Sequence, residues 1–362
     1  MTSKFEELHD AGQSVWLDYI RRDTLTTGEL DALIGNGIRG LTSNPTIFMN
    51  AIAGSDLYDD QIRSLGDGAA TAVFEALAID DISAAADELR GVYDASNGGD
   101  GYVSLEVSPH LAHDAEGTIA DAHRLWGLVG RPNLMIKVPA TPAGVVALEE
   151  LIAAGVNVNA TLMFSLGHYE AVAQAYVRGA ARAENPERVA SVASFFVSRV
   201  DNKTDAALDK VGTPEALDAR GKTAVANSKL TYRRYEEIFG GDTFAAAAGR
   251  GATPQRVLWA STSTKNPAYS DVLYVEELIG PNTVNTMPPA TIDAFLDHGE
   301  VHPNSLATDV NDADEQIRRL GEYGIDFDEI TDELQVEGVA AFADSFDELI
   351  EAIAAKSAAL RS

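Results

Sequence analysis

The sequence predicts an α/β protein built as a single (β/α)8 TIM-type barrel with extra helical insertions and C-terminal covering helices. Eight short apolar segments rich in β-branched residues alternate with longer segments whose apolar residues recur at helical spacing. Strict alternation of this kind implies parallel strands joined by helical crossovers. A chain of 362 residues holds such a barrel, about 250 residues in its usual form, with insertions. A doubly wound open sheet is the alternative, because periodicity alone does not show closure.

The eight predicted strands follow one another along the chain with helical segments between them. They cover residues 14–18, 38–42, 102–107, 134–138, 156–163, 190–197, 256–260 and 283–286. Helical patterns in the long segment after the second strand cover 56–64 and 69–93, and a further helical insertion covers 201–251. The acidic segment after Gly299 is predicted to form covering helices. Since no repeat or Pro/Gly-rich linker interrupts the pattern, we expect one domain over residues 1–362.

Composition excludes several classes of function. The chain carries 56 acidic and 27 basic side chains, a formal net charge of −29, which disfavours nucleic acid and anionic membranes as partners. Cysteine is absent, so disulfides, thiolate metal sites and a cysteine nucleophile are excluded. The first residues do not follow the order of a signal peptide and no apolar run approaches a membrane span, so a cytoplasmic protein is expected.

Polar side chains interrupt or end six consecutive predicted strands. Buried parallel strands are normally almost entirely apolar, because an unpaired buried charge costs several kcal/mol. Catalytic groups of barrels lie at the C-terminal ends of the strands, which makes these residues candidates for a site. They are Asp18, Asn44, Glu106, Lys137, Asn159, Thr161, Ser194 and Arg199.

Lys137 is the most informative of these candidates. It lies between Ile136 and Val138, and burial there would lower the pKa of its ammonium and supply the free amine that a Schiff-base nucleophile needs. A structural lysine paired with Glu106 or Asp18 is equally consistent with the sequence. The two interpretations are compatible, because imine formation needs nearby acids to move protons.

Cations and hydroxyls after the sixth and seventh strands indicate a phosphate site. Arg199 follows the sixth strand, and Ser261, Ser263 and Lys265 follow the seventh, near where barrels commonly bind phosphate. A serine-rich surface turn is the alternative. A metal at His110 and His113 is disfavoured, and a helix start at Asp114 is the preferred interpretation of that segment.

Four ordered motifs resemble the transaldolase family, enzymes of the pentose phosphate pathway that transfer an aldol unit through a lysine Schiff base. They are GLTSNPTIF from Gly40, MIKVPATPAG from Met135, GVNVNATLMFS from Gly155 and SFFVSRVD from Ser194, in the expected order. The resemblance covers nearly the whole chain, and its length and acidic C-terminal helices are similar to the longer bacterial form. At the seventh strand the run STSTKN departs from the serine-and-arginine pattern of the short form.

The resemblance implies a role for each residue of the site. Lys137 would form the imine with a ketose phosphate, Asp18 would deprotonate the carbon-4 hydroxyl, and Glu106 with Thr161 would hold a catalytic water. The substrate-binding residues that it implies are Thr42, Asn44, Asn159, Ser194, Phe196, Arg199, Ser261 and Lys265. Related aldolases carry glutamine in place of Glu106 and tyrosine in place of Phe196.

The implied reaction moves a dihydroxyacetone unit from sedoheptulose 7-phosphate to glyceraldehyde 3-phosphate, with no cofactor and no metal. Fructose 6-phosphate aldolase is the nearest alternative, and a non-catalytic sugar-phosphate-binding barrel is another. A metal-dependent aldolase is disfavoured, because the strand ends offer no histidine cluster. Sugar phosphates are the expected partners, and the expected state is a monomer or homodimer.

Overall fold

A closed barrel of eight parallel strands forms the centre of the computed structural model, which describes residues 3–361. Each strand pairs with its neighbours in the chain, and β8 pairs with β1 to close the barrel. The strands are β1 Gln13–Asp18, β2 Ile38–Thr42, β3 Tyr102–Glu106, β4 Leu134–Pro139, β5 Val158–Met163, β6 Ser191–Phe196, β7 Arg256–Ala260 and β8 Thr283–Met287. The predicted barrel is confirmed and the open sheet is wrong.

Helices surround the barrel. Those before β5 are α1 Lys4–Asp10, α2 Arg22–Thr26, α3 Glu29–Gly35, α4 Pro45–Ala53, α5 Asp59–Leu65, α6 Ala70–Glu88, α7 Arg90–Ala95, α8 Ala115–Val129 and α9 Pro142–Ala153. Those after β5 are α10 Leu166–Arg182, α11 Ser198–Val211, α12 Pro214–Asp218, α13 Thr223–Phe239, α14 Asp242–Ala248, α15 Leu273–Glu276, α16 Pro289–His298, α17 Val310–Glu322 and α18 Phe327–Ala359. No helix among residues 3–361 is long and apolar enough to cross a bilayer.

Element boundaries differ from the sequence-based prediction where side chains replace backbone pairing. β5 begins two residues later than predicted, because Asn157 bonds through its amide to the Pro132 and Leu134 carbonyls and to the Ala190 amide. The predicted helix over 69–93 is two helices, since the chain bends at the buried Leu89. Asp114 caps α8 by accepting a hydrogen bond from Gly117 N, as predicted.

Two motif glycines are explained by close packing at the barrel. A Cβ at Gly40 would lie 2.5 Å from the Trp16 indole inside the barrel. A Cβ at Gly144 would lie 1.8 Å from the Pro139 carbonyl oxygen, because α9 begins directly against the end of β4. The second of these close approaches lies at the C-terminal end of the strand that carries Lys137, and both motifs combine packing residues with polar ones.

The C-terminal helix α18 lies against the C-terminal side of the barrel rather than apart from it. It packs along α4, α6 and α11, and it also contacts β5. Its acidic face is exposed, as predicted for a covering helix, but its inner face carries Gln335, Gly338 and Phe342 toward the strand ends. The domain prediction for residues 1–362 stays a prediction, since residues 1, 2 and 362 lie outside the described residues.

Candidate active site

A cavity of about 190 Å³ opens among the C-terminal ends of the strands. Ten of the twelve predicted site residues line it, although they come from six strands or their following loops. The ten are Asp18, Thr42, Asn44, Lys137, Thr161, Ser194, Phe196, Arg199, Ser261 and Lys265. The other two, Glu106 and Asn159, lie behind this lining and contact residues that form it.

Lys137 is buried on β4, with 5% of its surface exposed. Its Nζ donates a hydrogen bond to the Ser43 carbonyl oxygen at 3.2 Å and lies 4.0 Å from Oε2 of Glu106. The ring of Phe342, from α18, faces the same nitrogen at 5.6 Å from its centroid. The predicted burial is therefore confirmed, and the amine has one close carboxyl neighbour.

Glu106 is the acid–base group nearest the lysine. β3 and β4 pair so that Glu106 lies opposite Lys137, and burial raises the pKa of Glu106 to about 7 against the opposing effect of Lys137. Both carboxyl oxygens, and the buried Thr161 hydroxyl, lack a hydrogen-bond partner among the described residues. Buried polar atoms are rarely left unpaired, so the Glu106 carboxyl and the Thr161 hydroxyl are each suited to bind a water or a reacting hydroxyl.

Asp18 stands on the opposite side of the cavity at the end of β1. The Thr42 hydroxyl donates to its Oδ1 at 2.8 Å, across the β1–β2 pair in which these two residues face each other. Burial lowers the pKa of the Arg199 guanidinium, and the nearby charge of Asp18 opposes that shift. Arginine remains charged at any working pH. Thr42 therefore orients Asp18, which leaves the second carboxylate oxygen to accept a proton.

Amide and hydroxyl groups complete the polar lining. Ser194 donates to Oδ1 of Asn159 at 2.6 Å, and Nδ2 of Asn159 donates to the Ser104 hydroxyl at 3.0 Å. Oδ1 of Asn44 caps α4 by accepting from Ile47 N at 2.9 Å. Capping occupies the amide oxygen, so Nδ2 is the group of Asn44 that can donate to a ligand.

The cationic end of the cavity joins the ends of β6 and β7. The Arg199 guanidinium lies 5.2 Å from the centre of the Phe196 ring. The hydroxyls of Ser198 and Ser261 are 2.9 Å apart, and Nζ of the exposed Lys265 donates to the Ser263 hydroxyl at 3.0 Å. Ser261 has a φ of +56°, a left-handed conformation that is uncommon for serine. The structure thus brings the predicted phosphate-site residues to one end of the cavity.

Several residues of the site were missed by sequence reasoning. Thr286, Pro288 and Phe342 also line the cavity, and Ser104 holds Asn159. Ser104 and Thr286 interrupt apolar strands and could have been found by the same polar-residue criterion. Phe342 offered no such signal, because one phenylalanine on an acidic helix is typical of ordinary packing.

A larger cavity, about 740 Å³, lies outside the barrel between α6 and α8. Glu106 lines its inner end, and the other charged side chains are paired, with Arg124 bonded to Glu75 and Asp121. His110, at its edge, bonds to Asp347. Among residues 3–361 no group of three or more histidine, aspartate or glutamate side chains is arranged to hold a metal ion. Lys137 and nine other predicted site residues therefore line the smaller cavity, and Glu106 lines the larger one.

Fold and site together define a class: an α/β-barrel enzyme with a buried lysine beside an acid–base carboxyl at the strand ends. The family model described as Transaldolase/Fructose-6-phosphate aldolase matches residues 15–353. The chain belongs to this family.

Individual relatives agree over nearly their whole length. A protein of Frankia alni named Transaldolase is 51% identical, with 98% of this chain and 97% of that protein covered. A Transaldolase of Acidothermus cellulolyticus is 49% identical over 98% of this chain and 96% of its own. One of Trichodesmium erythraeum is 44% identical over 98% of both chains.

Proposed function

We propose that this protein is a transaldolase, moving a dihydroxyacetone unit from sedoheptulose 7-phosphate to glyceraldehyde 3-phosphate and giving erythrose 4-phosphate and fructose 6-phosphate. The observation that carries the proposal is the buried Lys137 amine 4.0 Å from Glu106, a carboxyl whose pKa of about 7 suits proton exchange at neutral pH. Relatives named Transaldolase at 44–51% identity support it.

Imine formation uses Lys137 and Glu106. The Lys137 nitrogen attacks the ketose carbonyl carbon, and the proton that this nitrogen loses passes to the carbonyl oxygen to give a carbinolamine. Loss of that hydroxyl as water requires a second proton, which protonated Glu106 supplies, through a water held with the Thr161 hydroxyl. Glu106 recovers its proton when water adds to the imine at the end of the cycle. The raised pKa of Glu106 keeps both of its protonation states accessible near neutral pH.

Carbon–carbon cleavage uses Asp18. Its carboxylate takes the proton of the carbon-4 hydroxyl, the bond between carbons 3 and 4 breaks, and the electron pair passes to the iminium nitrogen. The aldose phosphate leaves and a three-carbon enamine stays on Lys137. Attack of the enamine on the acceptor aldehyde reverses these steps, with Asp18 returning its proton to the new hydroxyl.

Binding groups divide between the two ends of the substrate. We assign the hydroxyls of the three-carbon unit to Ser194 and to Nδ2 of Asn44, which line the cavity, whereas Asn159 acts by holding Ser194 from behind rather than by direct binding. Arg199, Ser261 and Lys265 form the cationic end, and we assign the phosphate to it. In a chain of net charge −29 these local cations are what makes an anionic substrate acceptable.

Transfer is favoured over aldol release because of Phe196. Releasing dihydroxyacetone requires protonation of the enamine carbon and then hydrolysis of the imine, so a water must be positioned. The centres of the Phe196 and Phe164 rings are 5.1 Å apart. Phe196 lines the cavity and has no hydroxyl that could orient a water. The enamine therefore persists until an aldehyde arrives.

Acceptor dependence tests this assignment. Fructose 6-phosphate alone should give little free dihydroxyacetone, and added erythrose 4-phosphate should restore rapid turnover. Phe196→Tyr should raise acceptor-free cleavage at the expense of transfer, because a phenol can orient the water. A wild-type protein that cleaves fructose 6-phosphate as fast as it transfers would be an aldolase instead.

We propose that the protein acts in the cytoplasm, as a monomer or homodimer, on sugar phosphates and without a nucleic-acid partner. The strongly negative charge supports the last of these.

A further inference from the structure

Helix α18 reaches the strand ends through one glutamine. Nε2 of Gln335 donates to two backbone carbonyl oxygens, those of Ala140 and Leu162, each at 3.0 Å. Ala140 directly follows β4, the strand of Lys137, and Leu162 lies in β5 directly after Thr161. One side-chain amide therefore joins the ends of two neighbouring strands of the site.

The backbone at Leu162 is in an uncommon conformation. Leu162 has a φ of +62°, and the pairing of β5 with β6 shifts register between Ala160 and Met163. A bulky residue in the left-handed region is costly and persists only where its surroundings hold it. One of the two hydrogen bonds of Gln335 holds the Leu162 carbonyl from outside the barrel, and the other ties it to the neighbouring strand end at Ala140.

The same face of α18 packs against this segment. A Cβ at Gly338 would lie 3.0 Å from Cδ2 of Leu162, so the backbone of the helix packs closely against this leucine side chain. Phe342, one turn further along the same face, lines the cavity opposite Lys137. Helix α18 therefore contacts the strained Leu162 and also forms part of the lining of the cavity.

We propose that Gln335 is a positioning residue: by holding the Ala140 and Leu162 carbonyls it fixes the Thr161 hydroxyl in the cavity beside Lys137. This inference rests on the proposed function, in which Thr161 and Glu106 hold the water that serves imine formation. Without Gln335 the Leu162 peptide relaxes out of its left-handed conformation and Thr161 turns with it. Acceptor binding, which depends on Arg199 at the other end of the cavity, stays unchanged.

A matched pair of glutamine variants tests the proposal in the full-length protein. Gln335→Met keeps the side-chain volume but removes both donors. Gln316→Met is the control, because Gln316 also lies on a C-terminal helix and donates to one backbone carbonyl, that of Ala219 at 3.0 Å, away from the site. The rate of borohydride-trapped adduct formation with fructose 6-phosphate should fall by about 10- to 10²-fold in Gln335→Met, a loss typical of a misplaced catalytic group. The KM for erythrose 4-phosphate should stay within about twofold.

A double-variant cycle separates positioning from general support. If Gln335 acts through Thr161, Gln335→Met should slow adduct formation much less in a Thr161→Val background than in the wild type. Equal effects in both backgrounds, or a Gln335→Met rate equal to that of Gln316→Met, would overturn the proposal. A wild-type protein that forms no adduct at all would instead overturn the proposed function.

Gln335→Glu keeps the test decisive if the methionine variant does not fold. A protonated glutamic acid can still donate one hydrogen bond to these carbonyls, whereas the carboxylate repels both. We therefore expect the ratio of the variant's adduct-formation rate to that of wild type to rise as the pH falls from about 8 to about 5. The protonated fraction of the introduced carboxyl increases as the pH approaches the usual pKa of glutamate. A ratio that does not change with pH would contradict the positioning role.

Discussion

At the scale of single residues, the site depends on where each ionisable side chain is placed. Glu106 and Asp18 are both carboxyls in different surroundings: the Glu106 side chain is 5% exposed, and burial raises its pKa to about 7. Asp18 is partly exposed and oriented by the Thr42 hydroxyl. The two carboxyls are therefore suited to different proton transfers.

Glu106→Gln should slow imine formation and hydrolysis and remove the rate change that the wild type shows near pH 7. Asp18→Asn should still form the donor imine but stall at carbon–carbon cleavage, with a loss on the order of 10²–10⁴ for a removed general base. Rapid-quench trapping shows which intermediate accumulates. The division of work would be wrong if both variants accumulate the same one.

Glu106 also makes the stability of the protein depend on pH. Its pKa rises from an ordinary 4.5 in the unfolded chain to about 7 in the folded one. The folded state thus binds more protons between these values, and this residue's contribution to the free energy of unfolding decreases as the pH rises through that window. Chemical denaturation at several pH values should show a smaller decrease over this window in Glu106→Gln. An unchanged pH dependence would mean that Glu106 is ionised throughout.

The polar residues of the strands were predictable because they break a strong rule. A lysine, a glutamate or an asparagine within an apolar strand needs either a structural partner or a function, and Lys137, Glu106 and Asn159 were found in this way. Gln335 and Phe342 were not predictable, because their function depends on where α18 folds back against β4 and β5. No local sequence pattern records that contact.

At the scale of elements, helix starts and strand ends perform two tasks at once. Asn44 ends the loop after β2, caps α4 through its Oδ1 and lines the cavity. Arg199 is the second residue of α11 and carries the cationic end of the same cavity. Stability and binding can therefore be separated by substitutions that change one of the two tasks.

Asn44→Asp should separate capping from binding. Aspartate caps helices about as well as asparagine, so the melting temperature should change little, but the donor to the substrate is lost and the KM for the ketose should rise. Asn44→Ala should lose both the helix cap and the donor to the substrate, and the lost cap should cost about 1 kcal/mol of stability. A melting temperature and a KM measured on both variants check this. Equal KM values for Asn44→Asp and wild type would show that Nδ2 does not contact the substrate.

Arg199→Ala should weaken phosphorylated substrates by about 1.5–3 kcal/mol, the usual contribution of a charge-assisted hydrogen bond. Lys265→Ala serves as the comparison and should have a smaller effect, because Lys265 is exposed and its charge is screened by water. The measurement is kcat/KM for phosphorylated and unphosphorylated acceptors. An equal loss for both kinds of acceptor would make Arg199 a structural residue.

At the scale of the whole molecule, the barrel gathers residues that are far apart in the chain. The candidate site joins Asp18 of β1 to Phe342 of α18 across more than 300 positions. The alternation of strands and helices predicted this architecture, since each strand end was located within two residues. The covering helices were predicted as surface elements, and their part in the cavity came from the structure.

The central claim is that Lys137 is the nucleophile, and borohydride reduction tests it most directly. With fructose 6-phosphate present, reduction followed by peptide mass mapping should find a three-carbon adduct on Lys137, and Lys137→Met should lose both trapping and turnover. Lys229 is the matched control, because it is equally buried, at 6% exposure, but lies on α13 paired with Glu277 at 3.4 Å. Lys229→Met should keep adduct formation. An adduct on Lys229, Lys203, Lys222 or Lys265, or one that survives in Lys137→Met, would contradict the account.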